Sequence, residues 1–497
     1  VDHIRNTVDC TQAMTTPSDL LTDKNDWPWL GYDEAKQAEI HAFGDGYQQW
    51  LQTARYPRER VTRVVSLLED KGFKRVELGG EAALNVGDAF YYVNRNVCLA
   101  AGIVGSSSPK DTGMRVVGSH VDIPLLDLKL RPVHEEADCG LVMMKTHYYG
   151  GIKKYQWASI PLHLVGVVTQ RDGTITEVDI GSDPSDPVFV IPDLLPHLWS
   201  EAQSKRTAAE VFKGEELRAI MGSTPGTKTD AKEGEKEGEK AKPEFKKHIM
   251  ELLHSRYGIT EGDLQFADLH FVAGLAPRRV GLDRGLIGAP GHDDGVCAYT
   301  SIDALLKVKA QGSAPSQTAV CILFDKEETG SDGPTGAKSQ FVRFMLEDVM
   351  ARSTFGVEGR GVYAAFDKTF VLSADVSAAV NPLFSSVHDA QNASVVGKGV
   401  SVSRFTGARG KAGTNSACIE AMCQFRQIAG DIPVQICELG KVDAGGGGTI
   451  AKFVANSLNC DVLDVGVPVL SMHSPFELVH VADVYNAREL YLSFYRS

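Results

Sequence analysis

The chain has 497 residues, 43% hydrophobic and 23% charged, with a formal net charge of −13. That length exceeds one ordinary core and predicts two domains, or one domain carrying a large insertion. The acidic balance excludes a general binder of nucleic acid or anionic membranes, and no apolar run reaches the roughly eighteen residues that a membrane span needs.

The first residues, VDHIRNTVDC, lack the basic and apolar regions of a secretory signal. Nine cysteines are scattered from Cys10 to Cys460 with no CxxC pair, a pattern of reduced thiols in a cytosol-like compartment. Cys297, Cys321 and Cys460 sit in apolar surroundings and are expected to fill core space.

In chain order, WLGYDEAKQAEIHAFGDGYQQWLQTA and TRVVSLLEDKGFKRV have helical spacing. AFYYVNRN and VCLAAGIVG then predict a hairpin feeding a sheet, and MRVVGSH a further strand. Between residues 124 and 272 the pattern changes to short alternating strands with Gly and Pro turns: LLDLKLRPV, LVMMKTHYY and SIPLHLVGVVT. Inside this stretch, at about 227–248, a Lys/Glu/Gly run cannot bury a core and is expected to be a mobile surface loop. From 273 onward, the apolar runs TAVCILF, TFVLSAD and VPVLSMH alternate with helical segments. Such alternation predicts a mixed, largely parallel sheet covered by helices. A β-rich module at 124–272 is therefore expected as an insertion in an α/β domain formed by 1–123 and 273–497.

Ligands in open α/β sheets bind beyond the carboxyl ends of strands. At those ends stand Ser119-His120-Val121-Asp122, Lys326-Glu327-Glu328, Asp375 and His473, while the APGHDDG junction adds Asp293 and Asp294. Histidine and carboxylate without thiolate suit a catalytic metal site holding zinc, manganese or cobalt. Three carboxylates (Asp293, Glu328, Asp375) balance two divalent ions once a hydroxide is added, so two ions are expected. Adjacent side chains diverge, so one of Glu327 and Glu328 can bind metal while the other faces the attacking water as a base. The histidines at 134, 147, 163, 254, 388 and 480 are read as structural or surface residues.

The ordered set G-S-H-x-D, A-P-x-x-D, D-x-E-E-x-G-S, S-A-D and M-H-S resembles the aspartyl aminopeptidase / aminopeptidase I family of dinuclear zinc metallopeptidases, over nearly the whole chain. YYGG at 148–151, IPDLLPHL at 191–198, GGGGT at 445–449 and MHSPFELVHVADV are also similar. The resemblance implies that His120 and Asp375 bind one metal, that Glu328 and His473 bind the other, and that Asp293 bridges them. It implies Glu327 as general base and Asp122 as the residue orienting His120. It further implies that His197 reaches a neighbouring subunit's active site, and that the inserted module is a dimerisation domain in a homo-oligomer, a dodecamer built of dimers. The substrate would be a peptide with a free N-terminus, and the setting cytoplasmic or a vacuole-like compartment reached from the cytosol.

Where aspartyl aminopeptidases carry M-A-H-A-V-H-P, this chain has VSAAVNP at 376–382. That departure favours the aminopeptidase I side and a neutral or apolar N-terminal residue over an acidic one. Two other readings stay open at this level: a metal-dependent deacylase or carboxypeptidase, and a non-enzymatic oligomeric shell.

Overall fold

The computed structural model describes residues 27–136, 138–226, 244–407, 409–444 and 446–497. Most of the Lys/Glu run and the chain start with Cys10 lie outside the described residues. A nine-stranded sheet forms the centre, in the spatial order Lys74–Arg75, Ala89–Asn94, Cys98–Ile103, Thr318–Phe324, Met114–His120, Phe370–Ser373, Asp461–Gly466, Val400–Ser403, Val434–Ile436. The three strands Thr318–Phe324, Met114–His120 and Phe370–Ser373 run parallel side by side, and the 89–103 hairpin joins them antiparallel.

Every residue of Met114–His120 and Thr318–Phe324 is buried, because helices cover both faces. Alternation along the strands divides the side chains between two cores: Val117, Cys321 and Leu323 face one, Val116, Val320 and Ile322 the other. The first core takes the helices Glu34–Leu51, Pro57–Asp70, His292–Ala310, Ile419–Ala429 and Val481–Arg496. The second takes Phe341–Arg352, Arg360–Lys368 and Ala451–Leu458. This is the mixed α/β architecture read from the alternating runs. Among the described residues no helix is long and apolar enough to cross a membrane.

The second sheet is entirely antiparallel and draws its six strands from between Leu125 and Ala273, in the order Ile175–Ile180, Leu162–Thr169, Ala267–Ala273, Leu125–Glu136, Leu141–Tyr149, Arg218–Gly222. It has a hydrophobic cluster of its own, to which the Phe245–Tyr257 helix adds Ile249 and Leu253.

One strand assignment needs correction. VPVLSMH reads as a buried strand of the main sheet, but Pro468–Leu470 lies in a separate five-stranded sheet, paired antiparallel with Glu477–His480. The main-sheet strand is the preceding segment, Asp461–Gly466. Its two aspartates break the apolar run and hide it. Asp464 is held there in part by Thr449 Oγ1, which donates to its Oδ1 at 2.6 Å.

His480 ends the central strand of this third sheet and caps the C-terminal helix, its Nδ1 accepting from Ala482 N at 3.2 Å. Burial pushes its pKa down from 6.5 to about 4. A depressed histidine contributes stability that is present above pH 6.5 and lost as pH falls towards about 4, at most about 3 kcal/mol. His480→Asn keeps a capping oxygen and removes the titration. Denaturant unfolding at pH 7 and pH 5 is expected to show a smaller acid loss in the variant than in the wild type. Equal losses would exclude His480 as the cause.

Candidate metal centre

The parallel register sets the site. His120 pairs with Phe324 and Gly118 with Ser373, so three strands end at one edge. Just beyond lie the turn Glu327–Thr329 and Asp375. Asp293 arrives from the first turn of the His292–Ala310 helix, and His473 from the bend between Pro468–Leu470 and Glu477–His480.

Asp293 stands between two imidazoles. Its Oδ1 is 3.0 Å from His120 Nε2 and its Oδ2 is 3.1 Å from His473 Nε2. His120 Nε2 is 4.0 Å from Asp375 Oδ1, and His473 Nε2 is 3.4 Å from Glu328 Oε2. Potential ligand atoms form two groups, each within 4.8 Å: His120 with Asp294 and Asp375, and Asp293 with Glu328 and His473. Imidazole nitrogens with carboxylate oxygens fit a divalent cation of the zinc type. Glu328 Oε1 and Asp294 Oδ1 are buried without a hydrogen-bond partner. Leaving such an oxygen unmet costs on the order of several kcal/mol unless a cation meets it.

The electrostatics fit the same reading. Burial, with Asp293 beside it, pushes the Glu328 carboxyl well above its usual range. Burial does the same to Asp375, with Glu327 adding to it. Glu327 is pushed up to about 7, by burial first and then by Asp293 and Asp122. Asp293 moves the other way: burial would raise it, but hydrogen bonds from His120 and His473 prevail and hold it low. Opposed shifts among packed neighbours are typical of functional sites.

Residues behind the candidate ligands hold them in place. Asp122 Oδ1 is 3.2 Å from His120 Nδ1, and the carboxylate also accepts from the backbone N–H of Glu327 and of Glu328, both at 3.1 Å. Glu477 plays the matching part on the other side, accepting from Asp293 N at 3.0 Å and His473 N at 2.6 Å. Arg60 is fully buried and donates to the carbonyls of Ala54, Val121 and Gly291. Gly291 has φ +71°, and a Cβ there would lie 2.6 Å from an Arg60 nitrogen, so the glycine makes room for this brace.

The structure thus brings His120, Asp122, Asp293, Glu327, Glu328, Asp375 and His473 to one place. His197 is elsewhere in contact terms: it is exposed on the Pro196–Ala202 helix, none of whose residues is buried. Of the other histidines, His134 makes a surface pair with Glu136 and His254 is exposed. The eight described cysteines are free; Cys297 and Cys321 are buried, whereas Cys460 is only partly so. Sequence reasoning includes Tyr149 and Glu477 only inside the family-like segments YYGG and MHSPFELVHVADV, with no role for either, and passes over Arg60. Glu477 does leave a signal, as an acid on the buried phase of a strand with alternating burial.

Residues 50–495 match the family described as Aminopeptidase I zinc metalloprotease (M18). The probable M18 family aminopeptidase 1 of Clostridium acetobutylicum is 39% identical over 483 residues, covering 96% of this chain and 99% of that protein. Its namesake from Thermotoga maritima is 40% identical over 460 residues, 92% of this chain and 96% of that protein. The crystal structure of an M18-family aminopeptidase from Thermotoga maritima is similar at a TM-score of 0.85 and 38% identity, covering 96% of this chain and 100% of that one. More distantly, the mApe1 dodecamer of S. cerevisiae shares the fold at a TM-score of 0.72 and 21% identity, covering 91% and 96%. The family match over residues 50–495 and the relatives at 39–40% identity span both the central sheet and the inserted one, and the chain belongs to the M18 family of zinc metalloproteases, as an aminopeptidase.

Proposed function

We propose that the protein releases neutral N-terminal residues from peptides, with Glu327 as the general base of a two-cation centre. The observation that carries this is Asp293, whose two oxygens each face a different histidine with a further carboxylate beside it. His120 and Asp375 would hold one cation, Glu328 and His473 the other, and Asp293 would be shared; Asp294 is the neighbouring alternative on the first side. When bound, the cations supply Lewis-acid polarisation of the scissile carbonyl and a water of lowered pKa. Glu327 would act as the base, accepting a proton from the attacking water at its carboxylate and returning it to the departing amine. Asp122 and Glu477 keep the ligands oriented while this happens.

Specificity is read from a cavity of about 300 Å³ that opens beside Asp293, Glu327, Asp375 and His473. Val376, Ala378, Leu439 and Met472 give it an apolar side, and Ser401, Ser403 and Thr449 a neutral polar one. Among the described residues lining it there is no lysine or arginine, and beyond the catalytic carboxylates its one acid is Asp464. An acidic side chain entering here finds no lysine or arginine in the lining to pair with, and one carboxylate more, Asp464. A panel of aminoacyl reporter substrates tests this. Leucyl, methionyl and alanyl substrates are expected to exceed aspartyl and glutamyl ones by at least about tenfold in kcat/KM, or about 1.4 kcal/mol. Equal or faster aspartyl turnover would overturn it. Cleavage confined to N-acetylated peptides would point to a deacylase instead.

Assembly into a homo-oligomer, a dodecamer as in the mApe1 structure, belongs to the same reading. It is supported by Leu194, Leu195, Leu198 and Trp199, which are 42–55% exposed around His197. Free cysteines across the described chain support a reducing, cytosol-like setting.

A further inference from the structure

We infer that Tyr149 is a positioning residue for the metal centre, and that the 149–151 turn ties the inserted sheet directly to the ligands. The inference rests on the metal-centre reading above. Tyr149 ends the Leu141–Tyr149 strand, in the middle of which Met143 and Met144 pair with both neighbouring strands of the inserted sheet. Its hydroxyl donates to Asp122 Oδ2 at 2.8 Å. Thr329 Oγ1 approaches the same phenol oxygen at 3.4 Å as a donor, which leaves the phenol proton to Asp122.

Asp122 is the carboxylate that faces the His120 ring and the backbone amides of Glu327 and Glu328. Among the described residues its other side-chain hydrogen-bond and ion-pair partners, His120, Glu327 and Glu328, belong to the central α/β part, so Tyr149 is the hold placed on it from the inserted sheet. Two residues on, the Gly151 carbonyl accepts from His473 Nδ1 at 2.8 Å, which fixes that ring with Nε2 towards Asp293. Between them Gly150 adopts φ +76°, and a Cβ there would sit 3.3 Å from Glu328 Oε2, so the turn is pressed against the ligand. One short turn thereby orients an imidazole on each side of Asp293: His120 through Asp122, and His473 directly.

Partners of this kind typically set metal affinity by 10- to 100-fold. Tyr149→Phe removes only the hydroxyl and leaves Asp122 its amide donors, so about tenfold weaker zinc retention is expected. The experiment strips wild type, Tyr149→Phe and Tyr149→Ala with chelator, then titrates zinc against a competing chromophoric chelator. Size and metal-free thermal unfolding are recorded alongside, and kcat and KM are measured at saturating zinc. Expected results are a weaker zinc midpoint in Tyr149→Phe, unchanged metal-free unfolding, and a fall in kcat with KM near the wild-type value. A wild-type midpoint and kcat in Tyr149→Phe would overturn the inference. So would a loss confined to Tyr149→Ala, since that assigns the residue to packing. Wild-type protein that took up no zinc would overturn the metal centre itself, and the inference with it.

Discussion

Replacing Glu327 by Gln is expected to lower kcat by about 10²–10⁴-fold while the protein keeps its full metal content. Glu327 lines the cavity beside Asp293, Asp375 and His473, but its carboxylate is in neither group of potential ligand atoms. Its backbone N–H is what secures the turn, donating to Asp122 at 3.1 Å, and the substitution leaves that bond intact. Gln is nearly isosteric and keeps hydrogen-bonding capacity, so the change removes a proton acceptor and little else. A base acts in the transition state, so the loss should fall on kcat and kcat/KM together and leave KM close to the wild-type value. Metal analysis of the purified variant, paired with leucyl-reporter kinetics, makes the check. Turnover near the wild-type rate would end the assignment of Glu327 as base.

The site was more legible in the sequence than the elements that carry it. Histidine and carboxylate at successive strand ends are visible because buried parallel strands leave an apolar run, and whatever follows the run stands out. That logic located His120, Glu327, Glu328 and Asp375 through the strands that bear them. It located His473 for an incorrect reason. The residue follows a strand of the third sheet, and it faces Asp293 because Glu477 and Gly151 hold it there from opposite sides. Sheet membership depends on pairing between distant segments, which local pattern does not report. Asp461–Gly466 escapes the pattern for the related reason that the Oδ1 of its buried Asp464 accepts from Thr449, a partner visible only after folding. The roles of Tyr149, though it stands in the quoted YYGG, and of Arg60 are hidden likewise: a tyrosine ending a strand or an arginine in a helix is ordinary until its partners are known. Sequence therefore points to the candidate ligands, and tertiary structure shows which residues hold them in orientation.

Glu328→Gln should behave oppositely to Glu327→Gln, losing metal first and activity in consequence. Glu328 Oε2 is 3.4 Å from His473 Nε2 and its Oε1 is buried with no partner, the arrangement of a ligand rather than a base. A carboxamide carries no charge to offset the cation, so affinity at that position is expected to fall by about 10²-fold or more. Stability gives a second readout. A cation that binds only the folded chain stabilises it by about 4 kcal/mol when present at 1,000 times its Kd, and a 100-fold loss of affinity removes about 2.7 kcal/mol of that. Without metal the sign changes. The metal-free wild type keeps Glu328 beside Asp293 in a buried cluster of carboxylates, whereas Gln is neutral there. Metal-free Glu328→Gln should accordingly unfold at a temperature no lower than the metal-free wild type, and zinc should raise its Tm by distinctly less. Thermal unfolding with and without zinc measures both. An equal zinc-induced shift in wild type and variant would remove Glu328 from the ligand set. Equal metal loss in the Glu327 and Glu328 variants would show instead that the two neighbours do not divide the work.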